Sequence, residues 1–506
     1  MSNHLFDGLF SQHNPEAILA KLPDGRSYSY QGAIETSARF AHVLAGFGIQ
    51  KGDRVAVQVP KSIEAALLYI ACVRLGAIFL PLNTAYTPAE IAYFLGDATP
   101  ALFVCDPAKA DVMRDVATTA KARFETMGVL SSNNPDAGSF ITAAKSADTD
   151  FQNASCAPDD LAAILYTSGT TGRSKGAMLS HDNLLSNALT LKDHWRFTSD
   201  DVLLHALPIF HTHGLFVAIN ATLAAGSSMI FLPAFDLDSI IHYLPSSSVM
   251  MGVPTFYTRL LSDARFTKDL VSHMRLFISG SAPLLAETHN QFEALTGQKI
   301  LERYGMTETN MNTSNPYDGA RRAGTVGFPL PGVEVQICDP ETGAQLADEE
   351  IGILEVRGPN VFVGYWQMPE KTAEELRENG FFITGDLAKK DTDGYIHIVG
   401  RSKDLIISGG YNIYPKEVEL ALDDEAGVLE SAVIGVPHPD FGEAVVAVIV
   451  PESDDFDPAQ ALENVKEKLA RFKQPKRLEI IDALPRNTMG KVQKNILRDR
   501  YQESFQ

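Results

Sequence analysis

Residues 166–176 combine hydroxyl groups, glycines and one lysine in a pattern that suits a bound polyphosphate. The segment reads Tyr-Thr-Ser-Gly-Thr-Thr-Gly-Arg-Ser-Lys-Gly and follows an apolar run at 161–165. Glycines allow several backbone amides to face one concavity, and hydroxyls and an ammonium group add donors for phosphate oxygens. The sequence therefore predicts a phosphate-binding loop after a buried strand. We assign phosphate contacts to Thr167, Ser168, Gly169, Thr170, Thr171, Gly172 and Lys175.

The spacing within this loop differs from that of the mononucleotide P-loop of kinases and GTPases. That motif requires G-x-x-x-x-G-K followed by Ser or Thr. Here Lys175 follows Ser174 and precedes Gly176. A phosphate loop of another class is therefore predicted, and the structural alternative is a surface turn rich in serine, glycine and threonine.

Six further motifs follow the loop along the chain. They read Leu-Pro-Ile-Phe-His-Thr-His at 207–213, Ser-Gly-Ser-Ala-Pro at 279–283, Glu-Arg-Tyr-Gly-Met-Thr-Glu at 302–308, Thr-Gly-Asp at 384–386, Gly-Arg-Ser-Lys-Asp at 400–404 and Pro-Arg-Asn-Thr-Met-Gly-Lys at 485–491. Together with the loop, they make the chain resemble the adenylate-forming superfamily of acyl-CoA synthetases, luciferases and peptide-synthetase adenylation domains. The resemblance runs from about residue 15 to about residue 500. Within the superfamily, the chain most resembles the malonate:CoA ligases.

The resemblance implies an ATP-dependent, AMP-forming acid–thiol ligase. A carboxylate is a poor electrophile, so one of its oxygens must become part of a leaving group before a thiol can attack. Attack by the acid on the α-phosphorus of ATP expels pyrophosphate and leaves an acyl-adenylate, which coenzyme A then converts to a thioester. The expected acid is malonate, with methylmalonate as a further substrate. ATP, Mg²⁺ and coenzyme A are the expected cofactor and co-substrates.

Three residues are expected, by resemblance, to act on the reacting phosphate. Lys491 corresponds to the mobile catalytic lysine of the superfamily, which would bridge the attacking carboxylate and the ribose-side oxygen. Thr307 would contact the α-phosphate, and Glu308 would hold Mg²⁺, a cation that bridges phosphates through few protein ligands. Because the charge of Lys491 would serve the first step, acylation of this lysine is a predicted off switch. Lys494, its near neighbour, is assigned to the surface.

The other nucleotide contacts come from four of the motifs. Tyr304 and Gly305 are expected beside the adenine, and the segment at 279–283 is expected to separate the adenine from the acyl group. The Asp386 carboxylate can accept both ribose hydroxyls, and Arg401 would support the sugar or phosphate; a structural ion pair between these two is the alternative. The remaining residues assigned to the nucleotide are Ser281, Ala282, Pro283, Glu302 and Arg303.

The last hundred residues are predicted to form a mobile domain that serves both half-reactions. Lys403 occupies the position of the superfamily's hinge residue. Rotation about it would move Lys491 away and bring in Gly409 and Gly410, which are small enough to line a pantetheine channel.

The acyl pocket is expected to carry donors for a second carboxylate, because an unpaired buried anion is expensive. His211, His213, Gly280 and Met306 are assigned to this pocket. Arg259 is the predicted bidentate clamp for the carboxylate. Arg275 and Arg303 are the next candidates if Arg259 lies on the surface, although Arg303 could instead serve the nucleotide.

Three other functions are compatible with the motifs. One is a short-chain acyl-CoA synthetase for a different acid, and a second is a stand-alone adenylation enzyme that loads a carrier-protein thiol. A third is a non-catalytic adenylate or CoA sensor, which the joint presence of Lys491, Glu308, Asp386 and Arg401 disfavours.

The elements that must position these residues alternate between strands and helices. Strands are predicted at 54–59, 77–81 and 101–105, with a helix at 31–48 before the first strand and a helix at 62–75 after it. Thr87-Pro-Ala-Glu90 is a helix-start signature. This alternation predicts an α/β fold whose large N-terminal domain, 1–400, has parallel-rich sheets covered by helices.

The pattern changes after residue 400 to that of a compact α+β unit. A helix start at 414–417, strands at 432–436, 444–450 and 477–481, and a helix at 458–472 are predicted. We expect a hinge at 401–403 and a small mobile domain at 404–506.

Composition excludes several kinds of partner. With 43 Lys and Arg against 63 Asp and Glu, the net charge is −20, which disfavours general attraction to nucleic acid or anionic lipid. The four cysteines, Cys72, Cys105, Cys156 and Cys338, form no metal-ligand cluster in sequence. No signal peptide and no apolar run of membrane-spanning length is apparent. A cytoplasmic protein that binds only small-molecule substrates is predicted.

Overall fold

The computed structural model describes residues 2–10, 13–167, 174–281, 284, 286–339, 342–401, 406–413, 415–453, 455–485 and 492–505. The chain divides into two compact units. The first comprises Met1–Thr84, Leu95–Leu165 and Gly176–Gly400. The second comprises Ala85–Phe94, Tyr166–Lys175 and Arg401–Gln506.

Strands and helices alternate through most of the chain, which confirms the α/β fold class. The strands are β1 Ile18–Lys21, β2 Ser27–Ser29, β3 Arg54–Gln58, β4 Ile78–Pro81, β5 Leu102–Cys105, β6 Arg123–Thr126, β7 Leu161–Thr167, β8 Lys175–Ser180, β9 Val202–His205, β10 Ser228–Phe231, β11 Val249–Gly252, β12 Leu276–Ser279, β13 Leu301–Met306, β14 Asn310–Ser314, β15 Phe328–Pro329, β16 Glu334–Cys338, β17 Gly352–Arg357, β18 Gly364–Tyr365, β19 Phe382–Lys390, β20 Ile396–Arg401, β21 Ile406–Ser408, β22 Tyr411–Ile413, β23 Val428–His438, β24 Gly442–Pro451 and β25 Arg477–Ile480. The α-helices are α1 His4–Phe10, α2 Tyr30–Gly46, α3 Ile63–Leu75, α4 Pro88–Ala98, α5 Ala110–Thr119, α6 Ser139–Ala144, α7 His181–His194, α8 Asn220–Ala225, α9 Leu237–Tyr243, α10 Pro254–Leu261, α11 Lys268–Val271, α12 Ala286–Thr296, α13 Pro369–Glu375, α14 Pro415–Asp423, α15 Pro458–Lys468 and α16 Lys494–Tyr501. A π-helical segment, His213–Ile219, precedes α8.

A nine-stranded sheet carries residues 302–306 of the predicted site, and the motif at 279–283 begins at the end of one of its strands. Its order is β15-β14-β13-β12-β11-β9-β10-β1-β2. The central strands from β1 to β13 run parallel, and β2, β14 and β15 are antiparallel to their neighbours. The parallel strands therefore bring their carboxyl ends to one edge, where open α/β sheets bind ligands.

Three further sheets complete the described chain. A seven-stranded sheet has the order β18-β8-β7-β4-β3-β5-β6, and a four-stranded antiparallel sheet has the order β16-β17-β19-β20. In the second unit, β22, β21, β24 and β23 pair in that order, and β25 pairs with β24 in parallel. The parallel-rich sheets and the smaller C-terminal unit agree with the predicted architecture.

The helix signals in the sequence act as expected. The Ser62 side chain accepts a hydrogen bond from the Ala65 amide and caps α3, which ends at Gly76 in the left-handed region, with φ of 76°. At α4, Glu90 N donates to Thr87 Oγ1, while Thr87 N donates to Glu90 Oε2. This reciprocal pair is the predicted capping box.

The helix predicted at 458–472 ends earlier, at Lys468. Leu469 is extended, with φ of −120° and ψ of 143°, and its side chain is buried together with Ala470. Burial of these two apolar residues in the second unit directs the chain out of the helix before its apolar pattern ends.

The main hydrophobic core packs the apolar helix α3 against strands of the two large sheets. Every residue of α3 except Leu75 is buried, which explains why its sequence is apolar around most of the helix. No helix formed by the described residues has the length and apolar character needed to cross a membrane.

Candidate active site

The carboxyl ends of β12 and β13 place two predicted site motifs next to each other. Ser279 is paired with Glu302 in the parallel ladder. The chain then leaves β12 through Gly280 and Ser281, while β13 continues through Arg303 to Met306. Segments that are twenty residues apart in sequence therefore meet at this edge of the sheet.

Arg303 lies buried against the backbone of Gly280. The side chain is 3% exposed, and a methyl group added at Gly280 would lie 2.4 Å from Arg303 Cζ. Its Nε and Nη2 have no hydrogen-bond partner among the described residues. Burial lowers the pKa of the guanidinium to about 9. An unpaired buried guanidinium is a costly arrangement that a bound anion would relieve.

His213 contacts Ser281, the residue that follows Gly280. Its Nδ1 lies 3.1 Å from Ser281 Oγ, and its Nε2 has no partner among the described residues. If the Ser281 hydroxyl donates to Nδ1, the ring proton is on Nε2 and available to an acceptor. Ser281 has a φ of 71°, a strained value for a residue with a side chain.

His211 shares the electrostatic environment of this pair. Burial, and next the charge of Arg303, lower the pKa of His211 to about 4. The same two causes lower the pKa of His213 well below its usual range. Both imidazoles are therefore neutral at physiological pH, and Arg303 carries the positive charge of this part of the site.

The histidine segment is fixed to the turn that follows β13. Thr212 Oγ1 donates to Asn310 Oδ1 at 2.8 Å, and both residues are buried. Asn310 begins β14 with a φ of 48°. Thr307 and Met306, which are half-buried, lie just before this turn. The contact ties the predicted acyl and α-phosphate residues into one framework.

Glu308 is a buried carboxylate in the same turn. Tyr365 Oη lies 3.1 Å from Glu308 Oε1 and 2.6 Å from Glu375 Oε2. Among the described residues, no group of three or more His, Cys, Asp or Glu could hold a metal ion. A single carboxylate nevertheless suits Mg²⁺, which keeps several waters and binds nucleotide phosphates through one or two protein ligands.

Tyr304 and Asp386 connect β13 to β19. The Tyr304 hydroxyl donates to Asp386 Oδ2 at 2.5 Å, and Asp386 N donates to Thr384 Oγ1 at 3.1 Å. Asp386 is buried, whereas Tyr304 is half-buried. Gly305 follows at a bulge where a side chain would lie 1.8 Å from Asn310 O, so only glycine fits there.

Glu302 supports the loop that follows β12. Its Oε1 accepts a hydrogen bond from Leu284 N at 3.1 Å, and its Oε2 has no partner among the described residues. Burial raises the pKa of Glu302 to about 8. The carboxyl group is therefore largely protonated at neutral pH.

The other two arginines considered for the clamp lie in different surroundings. Arg259 is exposed on α10, with its Cζ 5.8 Å from the Phe235 ring centroid. Arg275 donates twice to Asp201, from Nε at 2.6 Å and from Nη2 at 2.7 Å. Arg275 thus already has a carboxylate partner, and exposure of Arg259 gives no support to the role predicted for it.

In the second unit, the predicted residues Thr167, Lys175, Gly409 and Gly410 have described surroundings. Thr167 ends β7, where its Oγ1 lies 3.5 Å from the carbonyl of Lys175, and Lys175 is buried at the start of β8. Gly409 and Gly410 form the turn between β21 and β22, with φ values of 57° and 82°. Gly409 N donates to Phe441 O at 2.8 Å.

Several predicted residues lie outside the described part of the chain. They are Ser168, Gly169, Thr170, Thr171, Gly172, Ala282, Pro283, Lys403 and Lys491. Arg401 is described only as the last residue of β20.

The sequence analysis did not identify the polar residues whose hydrogen bonds support the predicted site. Tyr365 contacts the predicted residue Glu308, and Thr212 bonds to Asn310, but each of these partners is distant in sequence. Thr212 could have been predicted as a site residue, because it lies between the assigned residues His211 and His213. No local pattern identifies Tyr365.

Comparisons with known proteins match most of the chain to two family models and to curated relatives. The AMP-binding enzyme family model matches residues 10–366, and the model of the AMP-binding enzyme C-terminal domain matches residues 417–491. A malonate–CoA ligase of Arabidopsis thaliana is 35% identical, over 98% of this chain and 90% of that protein.

Two solved structures extend the likeness to the whole chain. The crystal structure of ATP-bound MatB from Rhodopseudomonas palustris shares 57% identity, covers 100% of both chains and has a TM-score of 0.79. A malonyl-CoA ligase in a ternary product complex with methylmalonyl-CoA and AMP shares 35% identity, covers 95% of this chain and 100% of that one, and has a TM-score of 0.82.

Proposed function

Because the chain belongs to the AMP-binding enzyme family and is an acid–thiol ligase, we propose that it joins malonate to coenzyme A through malonyl-adenylate, releasing pyrophosphate and AMP. One relative, which matches this chain over nearly its whole length, is a malonate–CoA ligase. A second relative has a solved structure that contains methylmalonyl-CoA and AMP. Methylmalonate is accordingly the second acid we propose.

The observation that carries the choice of acid is the buried, partly unpaired guanidinium of Arg303. A pocket for an aliphatic tail would have apolar walls, since a buried cation without a partner is costly. A dicarboxylate would supply that partner with the carboxylate that does not react. We therefore assign the clamp to Arg303, which was one of the alternatives in the sequence analysis, and no longer to Arg259.

His213 is proposed as a second donor to the same carboxylate. Its unpartnered Nε2 and its contact with Ser281 place a neutral imidazole N–H beside the dipeptide that Arg303 touches. Two donors of different shape would bind the short malonate chain in one orientation and present its other carboxylate for reaction. His211, Gly280 and Met306 are proposed to complete the pocket.

The nucleotide is proposed to lie along the carboxyl ends of β12 and β13. Asp386, oriented by Tyr304, would accept the ribose hydroxyls, and Glu302 would support the loop beside the adenine. The loop at 167–175 would bind the phosphates, Arg401 would contribute at the ribose or phosphate, and Thr307 would donate to the α-phosphate.

Glu308 is proposed to hold Mg²⁺ through its buried carboxylate, and Tyr365 would fix the carboxylate's orientation. When bound, Mg²⁺ would offset negative charge on the phosphates.

Lys491 is proposed to donate to the oxygens that exchange at phosphorus during adenylation. Lys403 would be the hinge, with mobile residues 404–506 on one side and 1–400 on the other. Gly409 and Gly410 would line the pantetheine channel in the second step. Acylation of Lys491 would remove its charge and stop the first step.

A cytoplasmic location is also proposed. All four cysteines are free and buried, as in proteins of reducing compartments.

A panel of acids tests the proposal. The enzyme is supplied with ATP, coenzyme A and malonate, methylmalonate, succinate, acetate, propionate or octanoate, and AMP, ADP and thioester are measured. We expect AMP and thioester, with malonate giving the highest kcat/KM. Production of ADP, or a preference for a monocarboxylate, would refute the proposal. Transfer to a carrier-protein thiol but not to coenzyme A would favour the adenylation-enzyme alternative.

A further inference from the structure

Lys61 is a partly buried lysine to which the proposed reaction assigns no role. It lies between β3 and α3, and its Nζ donates to His205 Nδ1 at 2.9 Å and to His205 O at 3.0 Å. The Phe231 ring centroid lies 4.4 Å from the same nitrogen. Among the described residues, no carboxylate oxygen lies within 4.0 Å of Nζ. The hydrogen bonds of its amine are therefore directed at His205 and not at an acidic partner.

His205 transmits this contact toward the acyl site. Its ring is 1% exposed at the end of β9, and its Nε2 lies 2.8 Å from Gly214 O. A carbonyl only accepts, so Nε2 carries the ring proton and Nδ1 accepts from Lys61. The two hydrogen bonds therefore select one tautomer of a neutral His205.

Gly214 follows His213 at the start of the π-helical segment. A side chain at Gly214 would lie 2.1 Å from Pro208 O, so the backbone is packed tightly against the preceding loop. The His205 hydrogen bond holds the Gly214 carbonyl from one side, and the Ser281 contact holds the His213 ring from the other. His213 is thus constrained through its backbone and through its side chain.

We propose that Lys61 and His205 are positioning residues that fix His213 through the Gly214 carbonyl, and that they make the acyl site selective for an acid with a second carboxylate. The inference rests on the proposed function, because His213 and Arg303 are its two carboxylate donors. A monocarboxylate leaves both donors unused, so its turnover does not depend on where His213 lies. A dicarboxylate uses both, and its advantage is lost when one donor shifts.

Three variants and a matched control test the proposal. Lys61→Met removes the donor to His205, and His205→Leu removes both contacts of the imidazole ring, to Lys61 and to Gly214 O. His205→Gln keeps a side-chain N–H for Gly214 O. Lys192→Met is the control, because Lys192 is a partly exposed lysine of α7 that pairs with Asp193. For each protein, kcat and KM are measured with malonate, propionate and ATP.

We expect Lys61→Met and His205→Leu to lower kcat/KM for malonate by about 10- to 100-fold. The value for propionate and the KM for ATP should stay within about threefold, as should every value for His205→Gln and the control. Equal losses with both acids would mean a purely structural role and would overturn the proposal, as would unchanged selectivity. A wild-type enzyme that makes no malonyl-CoA would instead refute the proposed function.

A spectroscopic measurement remains decisive if the apolar variants do not fold. In the wild-type protein labelled with ¹⁵N-histidine, the His205 signal, identified by its loss in His205→Gln, should show a protonated Nε2 and an unprotonated Nδ1. The opposite tautomer, or a doubly protonated ring at neutral pH, would overturn the arrangement.

Discussion

The Tyr304 hydroxyl donates to Asp386 Oδ2 at 2.5 Å and joins two strands that belong to different sheets. Asp386 is 1% exposed, so its carboxylate depends on such donors for a fixed orientation. The contact therefore pre-forms the acceptor that we propose for the ribose hydroxyls.

Tyr304→Phe tests this relationship. The variant keeps the ring beside the proposed adenine position and removes only the donor to Asp386. We expect the KM for ATP to rise by about tenfold, the usual effect of losing a hydrogen bond to a charged group, and the KM for malonate to stay unchanged. Steady-state kinetics with each substrate varied provide the check. Tyr395→Phe is the control, because that hydroxyl donates to Ala320 O at 2.7 Å and has no role in the proposed site. An unchanged KM for ATP in Tyr304→Phe would show that Asp386 does not need this donor.

Arg303 and Arg259 can be separated by substituting each of them. Arg303→Met keeps much of the buried volume and removes an unpaired charge, so the melting temperature should not fall. Its kcat/KM for malonate should fall by roughly 100-fold or more, because the distal carboxylate loses its clamp. Arg259→Ala, at an exposed position, should change that value by less than about threefold. If Arg259→Ala lost more kcat/KM for malonate than Arg303→Met, the clamp would be Arg259, as predicted from the sequence.

Gly280→Ala tests the packing that positions the clamp. The added methyl group would lie 2.4 Å from Arg303 Cζ, and the guanidinium would have to move. We expect kcat/KM for malonate to fall by about tenfold while the KM for ATP is retained. Gly46→Ala is the matched control, since nothing lies within 4 Å of a methyl group added there. A Gly280→Ala enzyme with wild-type malonate kinetics would mean that the position of Arg303 does not limit the reaction.

The sequence predicted what depends on local pattern. Strand and helix positions, the capping box of Thr87 and Glu90 and the left-handed Gly76 all follow from residues near one another in the chain. The motifs at 279–283 and 302–308, to which the resemblance assigns the nucleotide and the acyl group, lie at the carboxyl ends of β12 and β13.

Side-chain burial was not predictable in the same way. Nothing in the residues next to Arg259 and Arg303 shows that Arg259 is exposed and that Arg303 is buried against Gly280. The Lys61–His205 contact joins residues 144 positions apart, and no local signal pairs them. Such contacts arise from tertiary packing, which motif spacing does not encode.

Lys491→Ala tests whether the two chemical steps use different residues. If Lys491 donates to the oxygens at phosphorus, the variant should lose adenylation by about 100-fold or more, measured as malonate-dependent pyrophosphate exchange. Thioester formation from synthetic malonyl-adenylate and coenzyme A should remain close to the wild-type rate. A parallel loss of both steps would contradict separate roles. Lys494→Ala is the comparison, because Lys494 pairs with Glu419 at 2.5 Å.

Glu302→Gln tests the protonation of the buried carboxyl group. Burial raises the pKa of Glu302 from its ordinary value of 4.5 to about 8. Between these two values the folded protein binds a proton that the unfolded chain releases, so this residue makes stability fall as pH rises from about 5 to 8. The slope approaches 1.4 kcal/mol per pH unit in the free energy of unfolding. Glutamine can still accept from Leu284 N but does not titrate, so the variant should have a flatter dependence of melting temperature on pH and greater stability than the wild type at pH 8. If the melting temperatures of the two proteins changed equally with pH between pH 5 and pH 8, Glu302 would be ionised throughout that range.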